Sequence, residues 1–267
     1  MNLIEKKTAL VDAVSGIGGV RAIGQTGDIS ETPEPGKGDI DLFVFCDEIP
    51  SEAERLAAYK PCSGLFSERC MTTAEGGYWG TVDMLLVDGV ETFLMYFTVA
   101  DMSRYLGEVL AGKHPDRDGA FYPTGRLATI LMINVLYDEA GTLAMLKDQV
   151  REYPDALSKA LFEYHFERII DEEDFGRAVS RRDVLFYHMV LEESIDHFLQ
   201  ALYALNRTYF PSRKRSQQYM DVFQRVPKYC HARMLRVIED GSRGEGIEHS
   251  YEQWIKLVEE LERVAQR

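Results

Sequence analysis

Several features that would place a protein in a special class are missing from this chain of 267 residues. It has only four cysteines, none in a Cys-x-x-Cys spacing, so a reduced, cytoplasmic protein is expected. No stretch approaches the roughly 18 apolar residues of a membrane helix, and the first residues lack the apolar region of a signal peptide. Six histidines are scattered without a zinc-like grouping.

Positive charge is also scarce. The chain has 30 Lys and Arg against 44 Asp and Glu, a formal net charge of -14. A protein that binds long nucleic acid needs a broad basic surface, so polymerases and RNA-modifying enzymes are disfavoured. A small polyanion such as a nucleotide is still allowed, because one local cluster of basic side chains suffices.

Hydrophobic periodicity divides the chain into two parts. Residues 3–14 read as a helix, 20–23 and 39–46 as strands, and 79–97 as a β-hairpin. Ser51 and Glu54 form a capping-box pattern that opens a helix. After Thr98 only helical periodicity is found, including long helices at 125–152, 176–209 and 216–240. The pattern predicts an α+β domain over residues 1–115, a short mixed sheet with flanking helices, followed by an α-helical domain over residues 116–267.

Asp39 and Asp41 lie one residue apart in an otherwise apolar run, residues 38–45 (GDIDLFVF). Alternate side chains of a strand point to opposite faces, so both carboxylates are expected on one face. Neighbouring carboxylates repel each other unless something neutralises them. Carboxylate oxygens together with substrate phosphates suit Mg²⁺. The pair therefore predicts a magnesium site.

The surroundings separate this pair from an incidental one. It follows a predicted strand, a turn predicted at Gly24 and a loop rich in glycine and proline over residues 28–38. Such a turn lets backbone N–H groups approach phosphate oxygens. The same spacing at Asp116 and Asp118 lacks this context and is typical of a solvated loop. The competing interpretation is a charged edge strand that discourages aggregation.

This arrangement resembles the DNA polymerase β-like nucleotidyltransferase superfamily, in which a strand ending in Gly-Ser precedes Asp-x-Asp on the next strand. Here Gly24-Gln25 stands at the first position and Asp39-Ile-Asp41 at the second. The likeness extends to aminoglycoside and lincosamide nucleotidyltransferases and their uncharacterised bacterial relatives. Those proteins carry phrases similar to residues 135–141 (VLYDEAG), 181–184 (RRDV) and 202–211 (LYALNRTYFP), which is followed by Lys214.

The resemblance implies a reaction and its cofactors. A nucleoside monophosphate would pass from ATP or another nucleoside triphosphate to a hydroxyl of a small molecule, with two Mg²⁺ ions held by Asp39 and Asp41. Backbone amides of Gly24, Gln25 and Thr26 would orient the triphosphate. The family's serine is Gln25 here, which can still donate a hydrogen bond to a phosphate.

In resembling enzymes the helical domain closes over the nucleotide. Arg207 and Lys214 are therefore implied as triphosphate contacts, where arginine offers a bidentate fork and lysine a point charge. The alternative interpretation is positive charge at a helix C-terminus that complements the helix dipole.

The third carboxylate of the family is left open. Its best-matching position is Phe93, which carries no charge. Glu91 lies two residues earlier on the same face, and Asp83 lies on the preceding hairpin strand. The plain alternatives are a hairpin-edge charge for Glu91 and a polar residue on the solvated side of the hairpin for Asp83.

The helix over residues 183–209 carries His188, Glu192 and Asp196 at four-residue spacing, and Glu193 with His197 likewise. A metal site or a general base is conceivable there, but a solvated face with His–Glu pairs is preferred. Some relatives hold a catalytic base on a helix such as the one that carries Glu163, His165 and Glu167, and no residue among these is singled out.

Two rival functions stay open. One is a catalytically degenerate protein of the same fold that binds nucleotide without transferring it. The other is a structural or interaction protein whose aspartate pair is incidental. Mg²⁺-dependent nucleotide binding separates the second from the first, and release of pyrophosphate separates the first from an enzyme.

Overall fold

The computed structural model describes residues 1–30 and 32–267. The chain forms two compact units. The first combines Met1–Glu108 with Thr129–Glu152, and the second combines Val109–Ala128 with Tyr153–Arg267.

The first unit is built on a six-stranded sheet. Its strands are β1 (Val20–Gln25), β2 (Ile40–Cys46), β3 (Phe66–Ala74), β4 (Thr81–Val87), β5 (Val90–Thr98) and β6 (Asn134–Tyr137). The order across the sheet is β3-β4-β5-β2-β1-β6. Strands β2 and β5 run parallel and all other neighbours antiparallel. Helices in and next to this unit are α1 (Leu3–Ser15), α2 (Glu52–Tyr59), α3 (Val99–Leu110), α4 (Pro123–Met132) and α5 (Thr142–Val150).

Local sequence signals account for several of these elements. Ser51 and Glu54 form the predicted capping box at the start of α2, each satisfying a backbone N–H of the other. Asp88 and Gly89 join β4 to β5 with φ of 54° and 79°. Positive φ at both central residues is the signature of a type I′ turn, whose twist matches that of the flanking strands. The predicted hairpin and its turn are thus confirmed.

One face of the sheet is closed by helices. Alternate residues of β2 and β5 point to this face, and they form a buried cluster with apolar residues of α1 and with Tyr59 at the end of α2. The cluster includes Leu10, Val14, Leu42, Val44, Tyr59, Leu94 and Tyr96. The opposite face carries the intervening residues, among them Asp41 and Phe93.

The second unit is α-helical, whereas the helical domain predicted over residues 116–267 also includes residues 129–152, which belong to the first unit. The helices of the second unit are α6 (Asp155–Phe166), α7 (Glu172–Arg181), α8 (Val184–Leu205), α9 (Ser216–Met220), α10 (Cys230–Asp240) and α11 (Ile247–Ala265). Every residue from Ser194 to Leu205 is buried, so the second half of α8 is surrounded by the unit. Across the part of the chain that the structure describes, no helix is both long and apolar enough to cross a membrane.

Three predicted helices are wrong in extent. Residues 125–152 form α4, β6 and α5, because residues 134–137 pair with β1 instead of continuing the helix. Residues 176–209 are divided between α7 and α8 at Arg182, which adopts φ of 51°. Residues 216–240 form α9 and α10, separated by nine residues. Strand β3 was not predicted.

The turn predicted at Gly24 is also wrong, because Gly24 lies inside β1 between β2 and β6. Its lack of a side chain has a packing reason. A Cβ at this position would lie 2.6 Å from Cδ1 of Ile133 and 3.2 Å from the carbonyl oxygen of Asn134. The close approach of the segment before β6 therefore requires glycine.

We expect Gly24→Ala to lower the free energy of unfolding by about 1–3 kcal/mol, the usual cost of overpacking. Urea unfolding checks this against Gly18→Ala, where the added Cβ would meet nothing within 4 Å. Equal unfolding midpoints for the two variants would show that Ile133 moves aside without cost.

Candidate functional site

Asp41 lies near the start of β2 on the sheet face opposite the α1–α2 cluster. Its neighbours in the strand, Ile40 and Leu42, are buried in that cluster, whereas Asp41 is half-buried. Asp39 precedes the strand and is exposed. Extended backbone through residues 39–41 would set the two carboxylates on the same side at the start of β2, and this shared side stays a prediction.

Glu91 lies near the start of β5, which pairs in parallel with β2. Ile40 pairs with Thr92 and Asp41 with Phe93, so Asp39 and Glu91 each directly precede the first of these pairs. Glu91 is exposed and alternates with the buried Thr92. Three carboxylates therefore occur at one end of one sheet face, and half-buried Phe93 is the residue directly beside Asp41.

Asp83 does not belong to this group. It pairs with Leu94 across β4 and β5, so it lies on the α1–α2 face of the sheet. It is wholly buried and accepts hydrogen bonds from Arg55 Nε at 2.7 Å, from the Tyr59 hydroxyl at 2.7 Å and from the backbone N–H of Thr72 at 2.8 Å. The solvated position considered for Asp83 is therefore wrong. Because Asp83 lies on the face opposite Asp41 and is paired with Arg55, it is not placed to act as the third acid.

The loop after β1 differs from the expected phosphate cradle. The side chain of Gln25 is buried on the α1 face and accepts a hydrogen bond from Lys7 Nζ at 2.8 Å. The backbone N–H of Thr26 donates to the carbonyl oxygen of Asp41 at 3.3 Å. Gly24 is a strand residue, so the amides of residues 24–26 extend the sheet. The same bond sets half-buried Thr26 opposite Asp41.

Lys7 holds the start of this loop in place. Besides Gln25, its ammonium group donates to the carbonyl oxygen of Ile29 at 2.9 Å. Burial lowers the pKa of Lys7, and the nearby carboxylate of Asp28 partly opposes that effect. The loop between β1 and β2 is therefore tied to α1 on the side away from the three carboxylates.

Arg207 and Lys214 both lie in the second unit. Arg207 directly follows the cap of α8 with φ of 50° and forms an ion pair with Asp155 at 2.7 Å. Its side chain is exposed, so this pair contributes little to stability. Lys214 is exposed in the segment before α9. Their role as triphosphate contacts stays a prediction.

The solvated face predicted for α8 is confirmed for Glu192 and Glu193, which are exposed, and wrong for Asp196 and His197, which are buried. Asp196 is buried and accepts hydrogen bonds from the Tyr122 hydroxyl at 2.6 Å and from Arg213 Nε at 2.6 Å. Gln200 donates to its other oxygen at 3.1 Å, and Arg117 Nε lies 3.2 Å from that oxygen. Burial, with the neighbouring Asp196 carboxylate, raises the pKa of Tyr122 to about 12. The network connects α8 to the segment that carries Tyr122 and to the segment that carries Arg213.

The same unit brings together three residues that sequence reasoning left apart. His165 of α6 and His197 of α8 are both buried, and their Nδ1 atoms face each other at 2.9 Å. Asp116, in the segment before α4, completes a group whose ligand atoms all lie within 4.8 Å of one another. The expectation of no zinc-like histidine grouping missed this cluster. Two histidines in apolar stretches of separate helices were the available signal.

Comparison with known proteins finds one matching family model and one similar structure. Residues 121–215 match a model described as a domain of unknown function, DUF4037. This match covers less than half of the chain and contains both clustered histidines, Arg207 and Lys214. Among curated proteins, none matches. The crystal structure of a nucleotidyltransferase-like protein from Exiguobacterium sibiricum is similar to this chain at 12% sequence identity and a TM-score of 0.49, covering 99% of this chain and 75% of that one.

Among the described residues, each unit thus contains one cluster of side chains that could bind a metal ion. The starts of β2 and β5 offer three carboxylates, two exposed and one half-buried, which suits a hard cation that keeps several of its waters. The helical unit offers two imidazoles and one carboxylate in a buried setting, which suits a softer ion.

Proposed function

We propose that this protein is a Mg²⁺-dependent nucleotidyltransferase that moves a nucleoside monophosphate from a nucleoside triphosphate to a hydroxyl of a small molecule. The observation that carries the proposal is the parallel register of β2 and β5. This register brings Glu91, near the start of β5, next to Asp39 and Asp41 at the start of β2. The ordered sequence phrases shared with nucleotidyltransferases support it. ATP is the donor to test first.

The residues at the edge divide the work. Asp39 and Asp41 hold Mg²⁺, which would stabilise the charge that develops on the α-phosphoryl group and on the leaving oxygen. Exposed Asp39 and half-buried Asp41 fit this ion, because Mg²⁺ retains water ligands and uses only one or two carboxylates. Thr26, opposite Asp41, offers a hydroxyl for a phosphate oxygen in place of the family's serine. Glu91 completes the carboxylate set or accepts the proton of the acceptor hydroxyl.

A catalytically degenerate nucleotide-binding protein is the second candidate, and one observation favours it. Phe93, which pairs with Asp41, occupies the position where a third carboxylate would touch a shared metal most directly. Glu91 stands one pair further out. Such a protein would bind the nucleotide with Mg²⁺ and would transfer nothing.

Calorimetry and a transfer assay separate these functions. A non-hydrolysable ATP analogue is titrated with and without Mg²⁺, and α-labelled ATP is then incubated with a panel of hydroxyl-bearing small molecules, cationic ones included. Mg²⁺-dependent binding with label transfer supports the enzyme. Binding without transfer supports the second candidate, and no Mg²⁺-dependent binding rejects both.

Glu91→Gln is expected to lower the transfer rate by about 10²–10³-fold, the usual effect of removing one group that stabilises transition-state charge. Its thermal unfolding should not change, because the side chain is exposed. Asp88→Asn at the turn of the same hairpin is the matched control and should keep full activity, since asparagine tolerates the positive φ at that position. An unchanged rate for Glu91→Gln would remove Glu91 from the site.

Phe93→Asp tests the second candidate from the opposite direction. If the protein has lost chemistry with its third carboxylate, this change restores an acid beside Asp41. We then expect transfer activity to appear where the parent protein shows only binding. A parent protein that already transfers, and loses activity on this change, fits the enzyme with Glu91 in place.

A further inference from the structure

The cluster of His165, His197 and Asp116 in the second unit has the composition of a transition-metal site. The two Nδ1 atoms are 2.9 Å apart. In a tetrahedral site with metal–nitrogen bonds of about 2.0–2.1 Å, two ligand atoms are separated by ~3.3 Å. Small rotations of the two rings therefore suffice to admit an ion between them, with Asp116 as the third ligand.

His165 and His197 are both buried, and a neutral imidazole offers one nitrogen lone pair to a metal ion. Arg117 and Arg168 also face this region, but Arg117 is paired with Glu193 and Asp196, and the Arg168 guanidinium stacks on the Tyr164 ring.

Groups around the cluster orient the three side chains as outer partners of metal ligands do. A ring N–H of His165 donates to the backbone carbonyl of Pro115. Nε2 of His197 faces Oε1 of Glu193 at 3.8 Å. The Tyr164 hydroxyl and the backbone N–H of Arg117 each donate to a different oxygen of Asp116. A carbonyl or carboxylate on the outer nitrogen fixes the tautomer and orientation of a ligating histidine.

The competing interpretation is a neutral histidine pair that shares one hydrogen bond. That bond explains the short distance between the Nδ1 atoms. It does not explain the carboxylate brought to the same point from a separate segment, because Asp116 forms no part of a bond between two neutral rings. Three convergent ligands of this type explain all three positions.

We propose that Asp116, His165 and His197 bind one divalent transition-metal ion of the class that prefers imidazole, with Zn²⁺ as the probe. The three side chains come from the segment before α4, from α6 and from α8, so the ion would join these elements. Three protein ligands leave a fourth position for water or for a small ligand. The two imidazoles disfavour Mg²⁺, which prefers oxygen ligands. This site is independent of the nucleotide chemistry proposed for the first unit.

Metal titration of the full chain, free of any histidine tag and stripped with a chelator, tests the proposal. We expect one Zn²⁺ per chain by calorimetry in the presence of excess Mg²⁺. We expect Co²⁺ to give visible absorption bands of a four- or five-coordinate ion. Zn²⁺ should also raise the unfolding temperature with its concentration, because a ligand that binds only the folded state stabilises it. No nucleotide is present, so the outcome does not depend on transfer activity.

Substitution of single ligands completes the test. His197→Asn and Asp116→Asn should each weaken Zn²⁺ binding by at least ~100-fold, the upper end of what loss of an outer partner alone causes. His249→Asn, at an exposed histidine on α11, is the matched control and should bind as the parent does. Circular dichroism shows whether each variant is folded.

Absence of stoichiometric Zn²⁺ binding by the parent chain would overturn the proposal. So would equal affinity in a folded ligand variant and in the control. If His197→Asn does not fold, half-buried Asp116 and the Co²⁺ spectrum of the parent chain decide the question, since neither requires a change inside the buried pair.

Discussion

Asp41→Asn is expected to abolish nucleotide transfer while the protein keeps its fold. Removal of a metal ligand forfeits several kcal/mol of transition-state stabilisation, which corresponds to a rate loss of at least about a thousandfold. The side chain is half-buried at the start of β2, and asparagine has nearly the same shape. Circular dichroism and the unfolding temperature should therefore match those of the parent. The rate of label transfer from ATP measures the loss.

Asp12→Asn is a matched control for this change. Asp12 is an exposed acid of the same unit and lies on α1, which covers the other face of the sheet. The same charge change at that position should leave the transfer rate as it is. If Asp41→Asn retained the activity of the control, the carboxylates at the starts of β2 and β5 would not be the site of transfer. The proposed function would then be rejected.

Binding measurements show at which step Asp41 acts. If Asp41 holds Mg²⁺, its substitution should remove the Mg²⁺ dependence of nucleotide binding and not only the chemical step. Mn²⁺ binding followed by electron paramagnetic resonance reports the same ligand without nucleotide. A variant that binds Mn²⁺ as the parent does, yet fails to transfer, would assign Asp41 to the acceptor and not to the ion.

Local patterns predicted the parts of the first unit that depend on near neighbours. The alternation around Ile40 and Leu42 placed Asp41 on the face opposite their cluster, because two-residue periodicity is a property of the strand itself. The capping box at Ser51 and the turn at Asp88 and Gly89 were predictable for the same reason. Each is set by backbone groups within four residues.

Partners distant in the sequence account for what was missed. Gly24 reads as a turn, yet it is a strand residue whose side chain is excluded by Ile133, more than a hundred residues away. Residues 134–137 read as helix because their apolar side chains fit either period, and only pairing with β1 selects the strand. Asp83 reads as a solvated hairpin residue because nothing near it in the sequence announces Arg55 as its partner.

The histidine cluster is the clearest case of this kind. His165 and His197 are 32 residues apart on different helices, and the packing of α6 on α8 alone brings them into contact. The Glu193–His197 spacing indicated a helix-surface pair, whereas the structure buries His197 and uses Glu193 at its outer nitrogen. A candidate site made from two helices and a loop cannot be seen in the periodicity of any one of them.

Asp83 provides the largest expected effect on stability. Its carboxylate and the guanidinium of Arg55 form a wholly buried ion pair through two bonds, of 2.7 and 3.2 Å. Arg55 also donates to the carbonyl oxygen of Pro50 and to the hydroxyl of Thr72. The backbone N–H of Thr72, which has a φ of 53°, donates to Asp83. Positive φ is costly for a β-branched residue, so the ion pair also holds a strained backbone in place.

We expect Asp83→Asn to lower the free energy of unfolding by about 3–5 kcal/mol, because it leaves the buried charge of Arg55 without compensation. This loss of stability is expected only when one partner of the ion pair is removed and the other stays charged. Replacement of both residues by apolar ones, Arg55→Met with Asp83→Leu, should recover much of the loss, since it removes the buried charge altogether. Urea unfolding by circular dichroism measures all three proteins.

Asp47→Asn is the control that isolates burial as the cause. Asp47 forms the same kind of pair with Arg21, but both side chains are about half exposed, and exposed pairs contribute about 0–1 kcal/mol. Unfolding of the second unit can be measured separately by the fluorescence of Trp254, which is wholly buried there. The substitution Trp79→Phe makes Trp254 the only tryptophan of the chain. If Asp83→Asn cost no more than Asp47→Asn, Arg55 would not depend on Asp83 for its charge compensation.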